Sequence, residues 1–76
     1  MSNIGIIAGG GKLPIVIGTN LLKKNHNIFF FVIEEFFNTN LYKDFDVTII
    51  NLNSVKQILY SLKYRNLDCI LLAANI

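Results

Sequence analysis

Four short segments of this chain are apolar almost without interruption: "NIGIIA" at 3–8, "NIFFFVI" at 27–33, "DVTIINL" at 46–52 and "DCILLA" at 68–73. A strand with one wet face alternates apolar and polar residues. A strand covered on both faces reads instead as a run of β-branched and aromatic side chains. Four such runs call for a sheet covered on both sides, the arrangement of parallel α/β folds. With 76 residues, 53% of them hydrophobic and 16% charged, the chain has apolar material for one core and no room for two.

The segments between the runs supply the helices. In "PIVIGTNLLKKN", Leu13, Ile17 and Leu21 recur at four-residue spacing, and Pro14 pre-sets helical φ in a first turn. Lys23 and Lys24 complement the dipole at the helix end, and Asn25 suits a left-handed exit. Ser54 and Gln57 match a capping box, followed by a stripe of Val55, Ile58, Leu59 and Leu62 opposite Lys56, Ser61 and Lys63, which predicts a helix ending near Asn66. The twelve residues "EEFFNTNLYKDF" keep Phe36, Phe37, Leu41 and Phe45 at intervals, so this link is expected to pack down as a cap.

The resulting order is strand, helix, strand, long link, strand, helix, strand. It predicts a Rossmann-like half: a four-stranded parallel sheet in the order 3-2-1-4, with right-handed crossovers and helices on both faces, forming one domain over 1–76. In that order the crevice between the first and fourth strands is the switch point at which open α/β sheets bind ligands. "IGIIAGGGKLP" delivers three glycines to it, and the tail "ANI", with Asn75, arrives at the same place.

Glycines 9 to 11 have two readings. They can expose successive backbone N–H groups to an anion at a helix N-terminus, with Lys12 adding a point charge, or they can form a tight strand-to-helix turn. The spacing leaves both open. A Walker loop fails at Ile6 and Leu13, where it needs glycine and Ser or Thr. The dinucleotide fingerprint starts with Gly9 and Gly11 but meets Pro14 where its third glycine belongs, although Glu34 stands where a ribose-binding acid would. Glu34 and Glu35, adjacent on an extended chain, would point opposite ways and read as a solvated loop start.

Other chemistries find little support. The seven Lys and Arg, for a net charge of +2, form no basic stripe for nucleic acid or a membrane surface. Cys69, the one cysteine, lies in "CILLA" and reads as a buried structural thiol; His26 in "KKNHN" reads as a solvated loop residue, and no second His or Cys joins it at a metal. The ten Asn and twelve Ile reflect coding bias as much as physical choice, so single Asn residues are discounted as functional signals. The N-terminus lacks a signal peptide and "IFFFVI" is too short to span a bilayer, so a cytoplasmic chain without a transmembrane segment is expected.

"IGIIAGGGKLP", then "FFFVIEEF", "NLNSVKQILYSLK" and "DCILLAA", resemble in order and spacing the N-terminal domain of the UDP-2,3-diacylglucosamine diphosphatase (pyrophosphatase) family of lipid A biosynthesis. The similarity spans essentially the whole chain and is most specific at "GIIAGGGKLP". It departs where the family tends to have glycine at Glu35, near Asn51 or Asn53, and as Ala-Gly at Ala73-Ala74. The resemblance implies a Rossmann-like domain that encloses a UDP-diacylated glucosamine together with a larger C-terminal catalytic domain. Water then attacks the α-phosphate to give UMP and lipid X, with a divalent metal, magnesium the expected ion. The whole enzyme would be cytoplasmic, at most peripheral to the inner membrane.

Because the family's catalytic carboxylate and metal site lie in the C-terminal domain, the resemblance implies substrate binding by Gly9, Gly10, Gly11 and Lys12 and no catalytic or metal-binding residue here. The chain is expected to be a truncated or fragmentary form and inactive alone. Two alternatives stand beside it: a nucleotide-binding half-domain of an NAD-dependent oxidoreductase using Glu34, and a non-catalytic interaction remnant. The fourth strand, an apolar edge with no Pro or inward charge, is expected to drive self-association unless the missing domain covers it.

Overall fold

The computed structural model describes residues 2–51, 53, 56, 60 and 66–73. β1 (Asn3–Ala8) leads into α1 (Leu13–Lys23), then β2 (Asn27–Ile33), a 3-10 turn (Glu34–Phe36), the short α2 (Thr39–Tyr42), β3 (Asp46–Ile50) and β4 (Cys69–Ala73). The four strands form one parallel sheet in the order β3-β2-β1-β4, as the apolar runs predict. The capping box at Ser54 and Gln57, with the stripe at Val55, Ile58, Leu59 and Leu62, lies outside the described residues, as does Asn75.

β1 and β2 pair from Asn3 beside Asn27 to Ala8 beside Val32, which puts Ile4, Ile6 and Ala8 on the same face as Ile28, Phe30 and Val32. These six residues are the centre of the core, with Tyr42 and Ala73. α1 lies against that face through Ile15, Ile17 and Leu21. The buried positions of α1 are Pro14 and Gly18, and Leu13 is exposed, so the covered stripe is rotated from the one that Leu13, Ile17 and Leu21 predict. The cause is Gly18. A Cβ there would collide with the Phe30 ring, so the missing side chain lets α1 settle onto the sheet where that ring stands.

The aromatic link packs down beside α1. Phe30 meets Tyr42 edge-on at 5.2 Å and Phe45 at 5.0 Å, while Phe37 stacks on Tyr42 at 5.9 Å. Such pairs add about 0.5–1.5 kcal/mol each beyond the area they bury. Tyr42 takes the central place in this cap and is 3% exposed, whereas Phe36 is half exposed. α2 starts from Asn38, whose side chain accepts from the Asn40 N–H at 2.9 Å.

Asparagine has more structural work than coding bias implies. Asn25 (φ 67°) and Asn66 (φ 51°) hold left-handed backbone, the first ending α1 as predicted. At the amino ends of the strands, Asn27 Nδ2 donates to Asn3 Oδ1 at 2.9 Å. The Asn3 N–H donates to Asp68 Oδ2 at 2.7 Å, and the Asp68 N–H donates to the Asn3 carbonyl at 2.7 Å. These bonds set β2, β1 and β4 in register at their starts. His26 joins them: its Nδ1 accepts from the Ser2 N–H at 3.3 Å in a half-buried place, so it is a structural acceptor as well as a loop residue.

Candidate functional site

β1 ends at Ala8 and α1 begins at Leu13, so Gly9 to Lys12 form the whole connection at the carboxyl edge of the sheet. Each glycine in it has its own physical reason. The Gly9 N–H donates to the Ala73 carbonyl at 3.0 Å, which closes the seam between β1 and β4 just beyond the strands. Gly10 lies beneath the Phe36 ring, and a Cβ on it would sit 3.0 Å from Phe36 Cδ1. Gly11 has φ 85°, a left-handed conformation that costs an ordinary side chain about 1–2 kcal/mol. The run is therefore a tight turn in its backbone, and Gly9 is unavailable as an anion donor.

The turn and the anion reading are nonetheless compatible at the next positions. Lys12 is the N-cap residue of α1 and makes no side-chain cap bond; the first helical bond runs from the Val16 N–H to the Lys12 carbonyl at 3.1 Å. An uncapped first turn keeps backbone donors directed outward at the positive end of the dipole, and no acidic residue stands in that turn. Gly11 and Lys12 are exposed beside it, so the anchor is Gly9 and the accessible rim is Gly10, Gly11 and Lys12.

Phe36 belongs to this rim, a position that reading it as a cap residue missed. It is 50% exposed and touches Gly10 rather than the core. Its sequence signal was a second aromatic in "EEFF" where the cap needs one. Glu34 and Glu35 stand in the 3-10 turn at the end of β2, not on extended chain, and both are exposed.

Acidic groups do not gather here. Asp46 and Asp68 stand at or just before the starts of β3 and β4, the opposite edge of the parallel sheet from Glu34 and Glu35. Among the described residues no three His, Cys, Asp or Glu come close enough to hold a metal ion. The divalent metal implied by the resemblance therefore has no fitting donor set among the described residues. Cys69 is exposed rather than buried. It stands on β4, the outermost strand, where nothing described covers its face.

The family model of the LpxI N-terminal domain matches residues 3–76. The chain belongs to the LpxI N-terminal domain family. LpxI is a UDP-2,3-diacylglucosamine hydrolase of lipid A biosynthesis, the activity class that "GIIAGGGKLP" led one to expect. No curated protein and no solved structure matches the chain. No helix among the described residues is long and apolar enough to cross a membrane.

Proposed function

We propose that this chain is the substrate-binding N-terminal domain of an LpxI hydrolase that splits the pyrophosphate of UDP-2,3-diacylglucosamine into UMP and lipid X, and that it works in the cytoplasm. The family match over 3–76 carries this reading. The loop of Gly10, Gly11 and Lys12 receives a phosphate of the substrate. Gly9 anchors that loop to β4, the α1 N-terminus supplies partial positive charge, and Lys12 supplies a full one. Water attack and the divalent metal are assigned to a C-terminal catalytic domain, so the chain alone is not a hydrolase.

Titration of the chain with UDP and with NAD tests the binding role. UDP is expected to bind weakly and with preference over NAD, and Gly10→Val to abolish that binding while circular dichroism stays unchanged. The half-exposed Phe36 ring can swing from the added side chain, which keeps the variant folded. Preference for NAD would turn the reading toward an oxidoreductase half-domain. Incubated with the UDP-diacylsugar and magnesium, the chain should release no UMP above background; turnover that co-purifies with it would overturn the division of labour.

A further inference from the structure

Phe36 stands half exposed at the rim of the glycine loop, while its neighbour Phe37 turns inward and stacks on Tyr42 in the cap. A phenylalanine left half in water forgoes much of the stabilisation that burial gives, so its seat at the rim needs a cause. Gly10 provides it. The Gly10 backbone is not left-handed and would accept an ordinary residue. The space for a side chain is taken instead by one side of the Phe36 ring: a Cβ would lie 3.0 Å from Cδ1, 3.4 Å from Cε1 and 3.7 Å from Cγ. One glycine and one 3-10 turn thus seat an aromatic ring against the loop with about half of its surface open.

We propose that this ring is a stacking platform for the uracil base of the substrate, an inference that rests on the phosphate reading of the loop given above. A ligand whose phosphate sits on Gly10, Gly11 and Lys12 carries its base one ribose away, and Phe36 touches the loop itself. An aromatic side chain can take a base in this way because every base has a π-face. The surroundings suit a planar group better than the acyl chains of the same substrate, which need a continuous apolar track. Phe36 shares its turn with exposed Glu34 and Glu35, and Lys12 on the neighbouring loop is exposed as well. A partner protein that buried the ring would have to desolvate these carboxylates, whereas a base covers the ring and leaves them in water.

Calorimetric titration of the 76-residue chain with pyrophosphate and with UDP separates the two parts, because pyrophosphate reads the loop alone and UDP reads the loop with the base. UDP should bind more tightly. Phe36→Ala should lower UDP affinity about tenfold, within the range of base–aromatic stacking, and leave pyrophosphate binding unchanged. Phe36→Tyr keeps the ring and should hold UDP affinity within about twofold of wild type, whereas Phe36→Leu, apolar but not flat, should behave as the alanine variant does. The uracil ring protons should move upfield in the NMR spectrum on binding to the wild type and to Phe36→Tyr but not to Phe36→Leu, a signature that a merely structural ring would not give. Equal affinity for UDP and pyrophosphate, with no such shift, would overturn the platform and leave the loop reading in place. Failure of pyrophosphate to bind would overturn the loop reading and the platform with it. If Phe36→Ala weakened both ligands equally the ring would be a prop for the loop, and if Phe36→Leu kept UDP affinity flatness would be irrelevant; either result removes the platform.

Discussion

β3 and β4 are the two outer strands of the sheet, equal in length and similarly apolar, yet the described residues pack against one and leave most of the other exposed. β3 has Val47 packed against the core beside the aromatic cap, and its last residue, Ile50, is 1% exposed. On β4 only Ala73 is buried, and Leu72 is 78% exposed. Hydrophobicity of a strand thus reports what its position is built to meet, not what this chain itself supplies. The link of twelve residues before β3 packs beside Val47 on one face of that strand, and Leu72 of β4 has no such cover among the described residues.

The sharpest way to break that contrast is to empty the covered side. Phe30→Ala removes the ring that meets Gly18, Tyr42 and Phe45, and is expected to cost about 3–5 kcal/mol in urea unfolding. For a small domain that is a large part of total stability. A loss below about 1 kcal/mol would mean that the cap and α1 do not close over β2 as described.

A smaller effect is expected where the covered core meets the candidate site. Gly11→Ala forces a Cβ into φ 85° and should lower stability by about 1–2 kcal/mol. Gly10→Ala, whose backbone is not left-handed and whose neighbour is a half-exposed ring, should cost less. Equal losses at the two positions would remove the distinction between the turn-forming glycine and the one proposed to face a phosphate.

The cap contains one imperfection that sharpens the comparison further. Tyr42 is buried, and its hydroxyl has no hydrogen-bond partner among the described residues. Such a group costs about 1–3 kcal/mol in desolvation, so Tyr42→Phe is expected to stabilise the chain by about 1 kcal/mol. Burial also raises the Tyr42 pKa above its ordinary 10.0. Below pH 10 the hydroxyl is protonated in both the folded and unfolded states. Above it the unfolded chain ionises first, so stability falls as pH climbs toward the folded pKa. The variant should lose less stability than the wild type between neutral pH and pH 11, as read from paired urea curves.

How far these features were legible depends on whether their cause is local. Pro14 at the start of α1, Asn25 at its exit and the runs of β1 and β2 act through their own backbone or through burial on both faces, and the structure has them where the sequence puts them. The exposure of Cys69 was not legible from its apolar neighbours, because an interior strand and an edge awaiting a cover have the same composition. Two expectations about β4 were in conflict, a buried thiol and an open edge, and strand order decides for the edge. The exchange of Phe36 and Tyr42 between rim and core turns on the 3-10 turn at Glu34–Phe36, which redirects the chain after β2 and which no periodicity announced. Gly18 was visible as a helix glycine, but its use required knowing that Phe30 stands opposite. At the glycine loop the three residues looked equivalent in sequence. The partner of Gly9, a carbonyl 64 positions away in the chain, is what separates them.

The smallest expected effect tests the bare edge itself. Leu72→Ala removes as much apolar side chain as many core substitutions do, yet Leu72 faces solvent in the monomer and loses little transfer free energy when shortened. Measured at concentrations low enough to keep the chain monomeric, its unfolding free energy should fall within about 0.5 kcal/mol of wild type. Ile50→Ala, the matched change on β3, should cost about 2–5 kcal/mol. If both variants lost several kcal/mol, β4 would have to be covered in the folded monomer, and the asymmetry between the two edges would not exist in solution.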